Sequence, residues 1–490
     1  MKSTAVGIVA LAIFCPGPCR GESLYDAIQM AYQTNPDLAA QRSALDATNE
    51  GYVQARAGLG PQANLSGQFG YQNAQIQGGN LFSPQGTTNY RAGTGSADLS
   101  IVQPLYAAGA LKARVDAAAS TVAAGRQGLR AVENNLLQKV ITAYVDVLRD
   151  RATMAVMRDE VAVLTGEVKE AAAAQSLGAL SKTDLAQAEA RLLLAQSQLD
   201  LARGRLNMSH AEYASVVGQA PGELTPVSDL AGIPASVDEA FAAAEHNNPH
   251  IATLLDAEQA ARAKVAQARA ENGPSVSVRL DASTAPVEPY LPNQYDRSLT
   301  VSAVVNVPLF TSGLNHSRVR EALDNDNRAE LDIVGAKREA MQAVAQLWEQ
   351  LLTSRSALEL GQQQVDVQER AVKGSLIEER AGVRPLIELL NAEAELASDR
   401  INVLQVRHDQ YLAQAALISE MGLLEVRYLA PQAPLYDPSK AFRTVKNVDA
   451  APWEDVVAAV DGVMARPEPP PKPILPEHSL TISDILNATP

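Results

Sequence analysis

Hydrophobic positions in this chain follow two periods, and each occurs twice. Ala63, Leu65, Gly67, Phe69 and Tyr71 are apolar or small, while Asn64, Ser66, Gln68 and Gln72 are polar. Gly95, Ala97, Leu99 and Ile101 alternate in the same way with Ser96, Asp98 and Ser100. Further along, Val276, Val278, Leu280 and Ala282 alternate with Ser275, Ser277, Arg279 and Asp281. Leu299, Val301, Ala303, Val305 and Val307 alternate with Ser298, Thr300, Ser302 and Asn306. A period of two marks a strand with one apolar face. The pattern predicts four strands of about ten residues, paired as hairpins around polar Gly/Asn/Pro-rich loops near 73–90 and 284–296.

After each hairpin the period becomes seven. Val140, Val147, Met154, Val161 and Val168 keep that spacing, and Val344, Leu351, Leu358, Val365 and Val372 repeat it. A second stripe, Leu137, Ile141, Tyr144 and Leu148, lies on an adjoining flank, so each helix has neighbours on two sides. Starting near Ala110, a helix of about 65 residues spans roughly 100 Å. Each long helix turns at a glycine, Gly178 or Gly382, and returns. The return carries Leu185, Leu192, Leu199 and Leu206 in the first half and Leu389, Leu396 and Val403 in the second. Ahead of the strands, Asn35-Pro36 and Asn248-Pro249 open helices that end at Gly60-Pro61 and Gly273-Pro274, each behind a shorter helix.

The halves are copies of one unit. Ser23-Leu24-Tyr25-Asp26-Ala27 returns as Ser236-Val237-Asp238-Glu239-Ala240, and Gln54-Ala55-Arg56 as Gln267-Ala268-Arg269, both displaced by 213 residues. Pro104-Leu105-Tyr106 returns as Pro308-Leu309-Phe310, Gly178 as Gly382 and Gly218 as Gly422, displaced by 204. The nine-residue difference falls between Pro61 and Pro104, where a surface loop would absorb it. The expected organisation begins with a signal segment at 1–21 and a first repeat at 22–222, its β-hairpin at about 62–104 and its helical hairpin at about 108–218. A linker at 223–235 leads to a second repeat at 236–428, its β-hairpin at about 275–308 and its helical hairpin at about 312–422. A Pro-rich tail fills 429–490, extended from Pro467 to Pro476.

Composition sharpens this picture. Of 27 prolines in 490 residues, none lies between Pro104 and Pro221 and only Pro385 lies between Pro308 and Pro431, as long helices require. Thirteen Tyr, six Phe and two Trp are few for a conventional globular core, which disfavours a compact enzyme. Lys2, the apolar run Ala5 to Phe14, helix-breaking Pro16 and Pro18, and small residues at Cys19 and Gly21 form a secretory signal with a cut before Glu22. The run is too short for a membrane anchor. Phe14 and Pro18 precede the two cysteines where a lipoprotein cut needs a small residue. Cleavage leaves 39 basic against 56 acidic residues and no cysteine: an exported chain, without disulfides, that disfavours nucleic acid. No later stretch approaches the apolar length of a transmembrane helix.

Four strands are too few to close a barrel, for which about eight is the smallest number with a filled interior. One apolar and one Ser/Asn/Asp/Arg face suit a barrel with lipid outside and water within, though a soluble sandwich shows the same alternation. A sandwich would carry bulkier inner residues and more hairpins. Closure of a membrane barrel requires several chains in a cyclic homo-oligomer, with the coiled-coil hairpins continuing the ring away from the membrane.

The Asn-Pro openings, the Gly-Pro before each first strand, Pro-Leu-Tyr/Phe after each second one and the paired Gly turns are similar to the TolC family of outer-membrane export channels, over about 23–425. The resemblance implies an α+β membrane protein. Two tandem repeats build a homotrimer whose 12 strands form one outer-membrane barrel on a periplasmic α-helical tunnel. It further implies a passive exit duct in the outer membrane of a Gram-negative bacterium. A periplasmic adaptor and an inner-membrane ABC or proton-driven transporter would open it, for type I protein secretion or drug efflux. The unlipidated branch fits best, and the look of both halves is that of the type I secretion subgroup.

By the same resemblance, Leu177, Gly178, Ala179, Leu180 and Ser181 of the first turn and Ala381, Gly382 and Val383 of the second contact the adaptor. Asp184 and Arg384 stand where the family makes a gating salt bridge, and Glu388 where it places the first of two acidic rings. Asn391 replaces the second acid, Pro385 stiffens the start of the return helix, and Glu379 stands where some relatives have a gate tyrosine. Read without the family, Gly178 and Gly382 are helix caps, and a lone Asp or Arg on a helix is a solvated charge worth under about 1 kcal/mol.

No catalytic set, cofactor site or metal site is legible. The six histidines are scattered, and Asn248-Pro249 breaks the helical spacing between His246 and His250. Lys182-Thr183 follows Ser181, where a phosphate-binding loop needs glycine. The rival reading is a secreted, water-soluble coiled-coil scaffold with an accessory β-domain.

Overall fold

A computed structural model describes residues 21–78, 86–286 and 294–463. The signal segment, save its last residue, and the run from Pro467 to Pro476 lie outside them. The elements run α1 (Leu24–Thr34), α2 (Pro36–Ala57), β1 (Gln62–Gly78), β2 (Gly86–Tyr106), α3 (Ala110–Ser176) and α4 (Lys182–Val217). The same order follows as α5 (Val237–Asn247), α6 (Pro249–Ala270), β3 (Ser275–Pro286), β4 (Tyr295–Asn306), α7 (Leu314–Arg380) and α8 (Leu386–Glu420). Three short helices end the described chain: α9 (Val426–Leu429), α10 (Pro438–Val445) and α11 (Glu454–Val463). Helix lengths agree pairwise between the halves: 11 and 11, 22 and 22, 67 and 67, 36 and 35 residues.

Local chemistry sets these boundaries. Ser23 and Asp26 close a capping box at the start of α1. Asn35 and Asn248 accept from the first-turn N–H groups of α2 and α6, with proline already in place where no N–H is needed.

The strands depart from expectation. β1 and β2 have 17 and 21 residues, against 12 each for β3 and β4. The extra length of the first hairpin is thus taken up by strand, in unbroken register from Gln62↔Val102 to Gly78↔Gly86. A ladder uses backbone hydrogen bonds only, so the stretches 73–77 and 87–89, expected as loop, extend it although polar residues stand there at the positions that continue the apolar face of 63–71 and 95–101.

The chain forms two compact units. One is built from the described parts of Met1–Leu38, Glu133–Ala242 and Ala343–Leu435. Its core holds the heptad stripe: Val140, Val147, Val344 and Leu351 are fully buried, with Leu137, Ile141 and Tyr144 beside them. Tyr144 Oη lies 2.7 Å from the carbonyl of Thr225 and 2.9 Å from that of Glu22, and Tyr213 Oη donates to Glu22 Oε1 at 2.7 Å.

The other unit comprises the described parts of Ala39–Val132, Ala243–Gln342 and Tyr436–Pro490 and contains all four strands. The described part of its C-terminal segment folds as α10 and α11. Arg56 pairs with Glu454 at 3.0 Å and donates to the carbonyls of Lys446 and Val448. Trp453 Nε1 donates to Gln103 Oε1 at 2.9 Å, and Asp461 binds the elbow between β2 and α3.

Candidate functional site

The sheet has the order β1-β2-β3-β4, antiparallel throughout. Its register lines up apolar residues across all four strands, as in Leu65–Leu99–Ala282–Leu299 and Ala63–Ile101–Leu280–Val301. The other face carries Ser66–Asp98–Ser283–Ser298 and Asn64–Ser100–Asp281–Thr300. Hydrogen bonds tie that face together: Ser283 to Ser298 at 2.8 Å, and Arg279 Nε to Asp281 at 2.8 Å. Among the described residues nothing covers the apolar face: Phe69 is 90% exposed, Leu65 76% and Leu299 71%. The inner face of a sandwich would be buried. β1 and β4 are the edge strands, and among the described residues no further strand pairs with either.

The two glycine turns have one geometry. Gly178 and Gly382 have φ +76° and +70°, a conformation that costs glycine nothing. Ala179 N–H reaches back to Ala174 O at 2.9 Å and Val383 N–H to Glu378 O at 3.0 Å, so both long helices end in Schellman caps. Leu177 (85% exposed) and Val383 (79%) project at the tips, while Leu180 packs on the apolar cluster of Leu164, Ala188, Leu386 and Leu389.

The predicted gate residues are brought together only in part. Arg384 Nε lies 2.7 Å from Glu378 Oε2, and its Nη1 lies 3.1 Å from Glu388 Oε2. Asp184 is not its partner within the chain. As the third residue of α4, Asp184 accepts from Ser181 Oγ at 2.7 Å and from Ser181 N–H at 3.3 Å, a capping box that engages Oδ2 of its carboxylate. The second turn has no such box, because Pro385 stands at the cap.

Sequence reading missed two polar clusters in the helical unit. His408 is buried, with Nε2 2.8 Å from Asp146 and Nδ1 2.9 Å from Asp409. Beside it Arg149 pairs with Asp146 and Asp150, and Ser209 donates to Asp150. Burial pushes the Asp150 carboxyl up, but the bonds from Arg149 and Ser209 outweigh that and hold it below the usual range. Nearer the tips, burial, then Glu167 and Glu160, push the Glu393 carboxyl up to about 7. Glu393 follows Leu386 by seven residues, and an acid in heptad register with an apolar residue was the available signal. Among the described residues, no group of three or more His, Cys, Asp or Glu could hold a metal, and no helix is long and apolar enough to cross a membrane.

A four-stranded sheet with one exposed apolar face, one polar face and two edge strands, in a chain with two long helical hairpins, defines a wall segment of a membrane channel. Residues 27–219 and 241–423, nearly all of the two repeats, match the outer membrane efflux protein family. The chain belongs to that family: it is a channel protein of the outer membrane that extends into the periplasm, in a transport family and not an enzyme family. It is 26% identical over 426 residues to the outer membrane efflux protein BepC of Brucella suis, covering 87% of this chain and 91% of that one. It is also 26% identical over 337 residues to the alkaline protease secretion protein AprF of Pseudomonas aeruginosa, covering 67% and 69%. The solved outer membrane protein VceC of Vibrio cholerae shares the fold with a TM-score of 0.70 at 19% identity, over 81% of this chain and 96% of that one.

Proposed function

We propose that three copies of this chain join β4 to β1 at each seam, closing one 12-strand barrel, and that the helical hairpins form its periplasmic tunnel. The observation that carries this is the sheet: two edge strands per chain, with one apolar and one polar face where all four strands pair. The assembly is a passive exit duct, with lipid against Leu65, Phe69 and Leu299 and water against Asp98, Ser283 and Ser298. Cargo enters from an inner-membrane transporter through a periplasmic adaptor that meets Leu177 to Ser181 and Ala381 to Val383. The relative named for protease secretion supports protein cargo, and the one named for efflux supports a role in efflux. Gating belongs to Arg384 and Glu388, with Asp184 holding the start of α4.

The test is reconstitution of the solubilised protein in planar bilayers. Discrete ion-conducting steps support the duct, and a protein that inserts without conducting contradicts it. Crosslinkers placed at Leu177 and Val383 should capture the adaptor, whereas crosslinkers at Lys169 should not.

A further inference from the structure

Two to three turns from the tips, α8 turns a carboxylate toward α3 where no base waits for it. Glu393 Oε2 is fully buried and has no hydrogen-bond partner. Across from it on α3 stand two more carboxylates, Glu160 and Glu167, both acting on it electrostatically. The charged groups that act on Glu393 are these two acids, and the nearby cations act on Glu160 and Glu167 instead. Arg191 on α4 acts on Glu160, but its Nη2 donates to Asn391 Oδ1 at 2.7 Å. Around Glu167, Arg380 of α7 is offset by Glu379 of α7 and Glu170 of α3. The helices meet through Leu164, Ala171, Ala188, Leu389 and Leu390, all buried. Beside them a partly open groove of about 430 Å³ is lined by Glu160 and Arg191, with Leu390 and Ala394 from the part of α8 that bears Glu393.

We propose that Glu160, Glu167 and Glu393 form a pH-sensitive latch between α3 and α8: protonated, the cluster lets the helices pack; ionised, it drives them apart. Its use as a gate control rests on the duct reading above, but the latch itself does not. Burying one carboxylate near two others without a committed cation disfavours the charged form, and that cost disappears once the helices separate. Glu393 titrates at about 7 when packed, against 4.5 for the solvated group. A raised acid value destabilises packing increasingly as pH rises from 4.5, and the full effect is present above 7. The separated state is therefore about tenfold more accessible at pH 8 than at pH 6. A carboxyl near 7 lets the tunnel respond to a change of one or two pH units around neutrality.

The test is amide hydrogen exchange of the full-length solubilised protein at pH 6 and pH 8, corrected for the chemical pH dependence of exchange. It is read in peptides spanning 160–171 and 386–397. Wild-type exchange there should rise about tenfold, and Glu393→Gln should abolish the rise. The double variant Glu160→Gln/Glu167→Gln should keep a step moved to lower pH, since burial of Glu393 remains. A flat wild-type profile, or the same tenfold step in Glu393→Gln, overturns the latch. Exchange does not depend on conduction, so failure of the latch and failure of the duct reading give separate signatures.

Discussion

Asp461 Oδ1 accepts the backbone N–H of Gly109 at 3.0 Å, so a residue of the last described helix holds the elbow where β2 becomes α3. The same carboxylate takes the N–H groups of Ala107 at 2.6 Å and Lys112 at 3.1 Å, and Asp461 is fully buried. The elbow needs such support because Ala108 sits at φ +54°, where a side chain is strained. Asp461→Ala strands three backbone donors and should destabilise the solubilised protein by about 2–4 kcal/mol. Thermal unfolding in detergent checks this, and a change below about 0.5 kcal/mol would refute the anchoring role.

The two faces of the sheet should respond oppositely to charge. Val301→Arg puts a cation on the apolar face and should cost up to about 4 kcal/mol near the bilayer midplane. Ser302→Arg, one residue along on the polar face, should change stability by less than about 0.5 kcal/mol. Urea unfolding in lipid, with the yield in the outer-membrane fraction, separates the two. Equal effects would contradict the assignment of faces.

At the tips, Gly178→Ala and Gly382→Ala meet nothing within 4 Å, so their only penalty is backbone conformation. Each should cost about 1 kcal/mol, seen as fraying of the last turn of α3 or α7 in hydrogen exchange.

Arg384 faces two acids at a half-exposed tip, so Arg384→Glu should change global stability by less than about 1 kcal/mol. Its effect should appear in function instead. Three carboxylates then crowd the turn between α7 and α8, and the closed state should loosen, raising conductance in planar bilayers. Unchanged conductance would remove Arg384 from the gate.

The Asp150 network should be sensitive to acid. A carboxyl held below its usual range stabilises the protein above that range, and the contribution is lost as pH falls through its folded value. Ser209→Ala removes one of the bonds that hold it down, so the variant should be less stable than wild type at pH 7. The difference should shrink at pH 3, as followed by thermal unfolding.

The regular parts of this protein were legible in the sequence because a simple periodicity dictates them. The heptads of Val140 and Val344 marked buried seams, and the alternation at Leu65, Leu99, Leu280 and Leu299 marked one face of one sheet. The length of β1 and β2 was not legible, since polar residues extend a ladder through the backbone alone. The engagement of Asp184 by Ser181 was written in the sequence as Ser-x-x-Asp, but the capping box was overshadowed by the expected partnership with Arg384. Asp461 could not be found, because its partners are backbone groups some 350 residues earlier.

The shared barrel is tested most directly by the mass of the particle. Membranes should be fractionated and the detergent-solubilised protein run on size exclusion with light scattering. Three chains per particle, recovered from the outer-membrane fraction, is the result expected of a sheet with two edge strands. A monomer or dimer, soluble without detergent, would contradict it and favour a secreted coiled-coil scaffold.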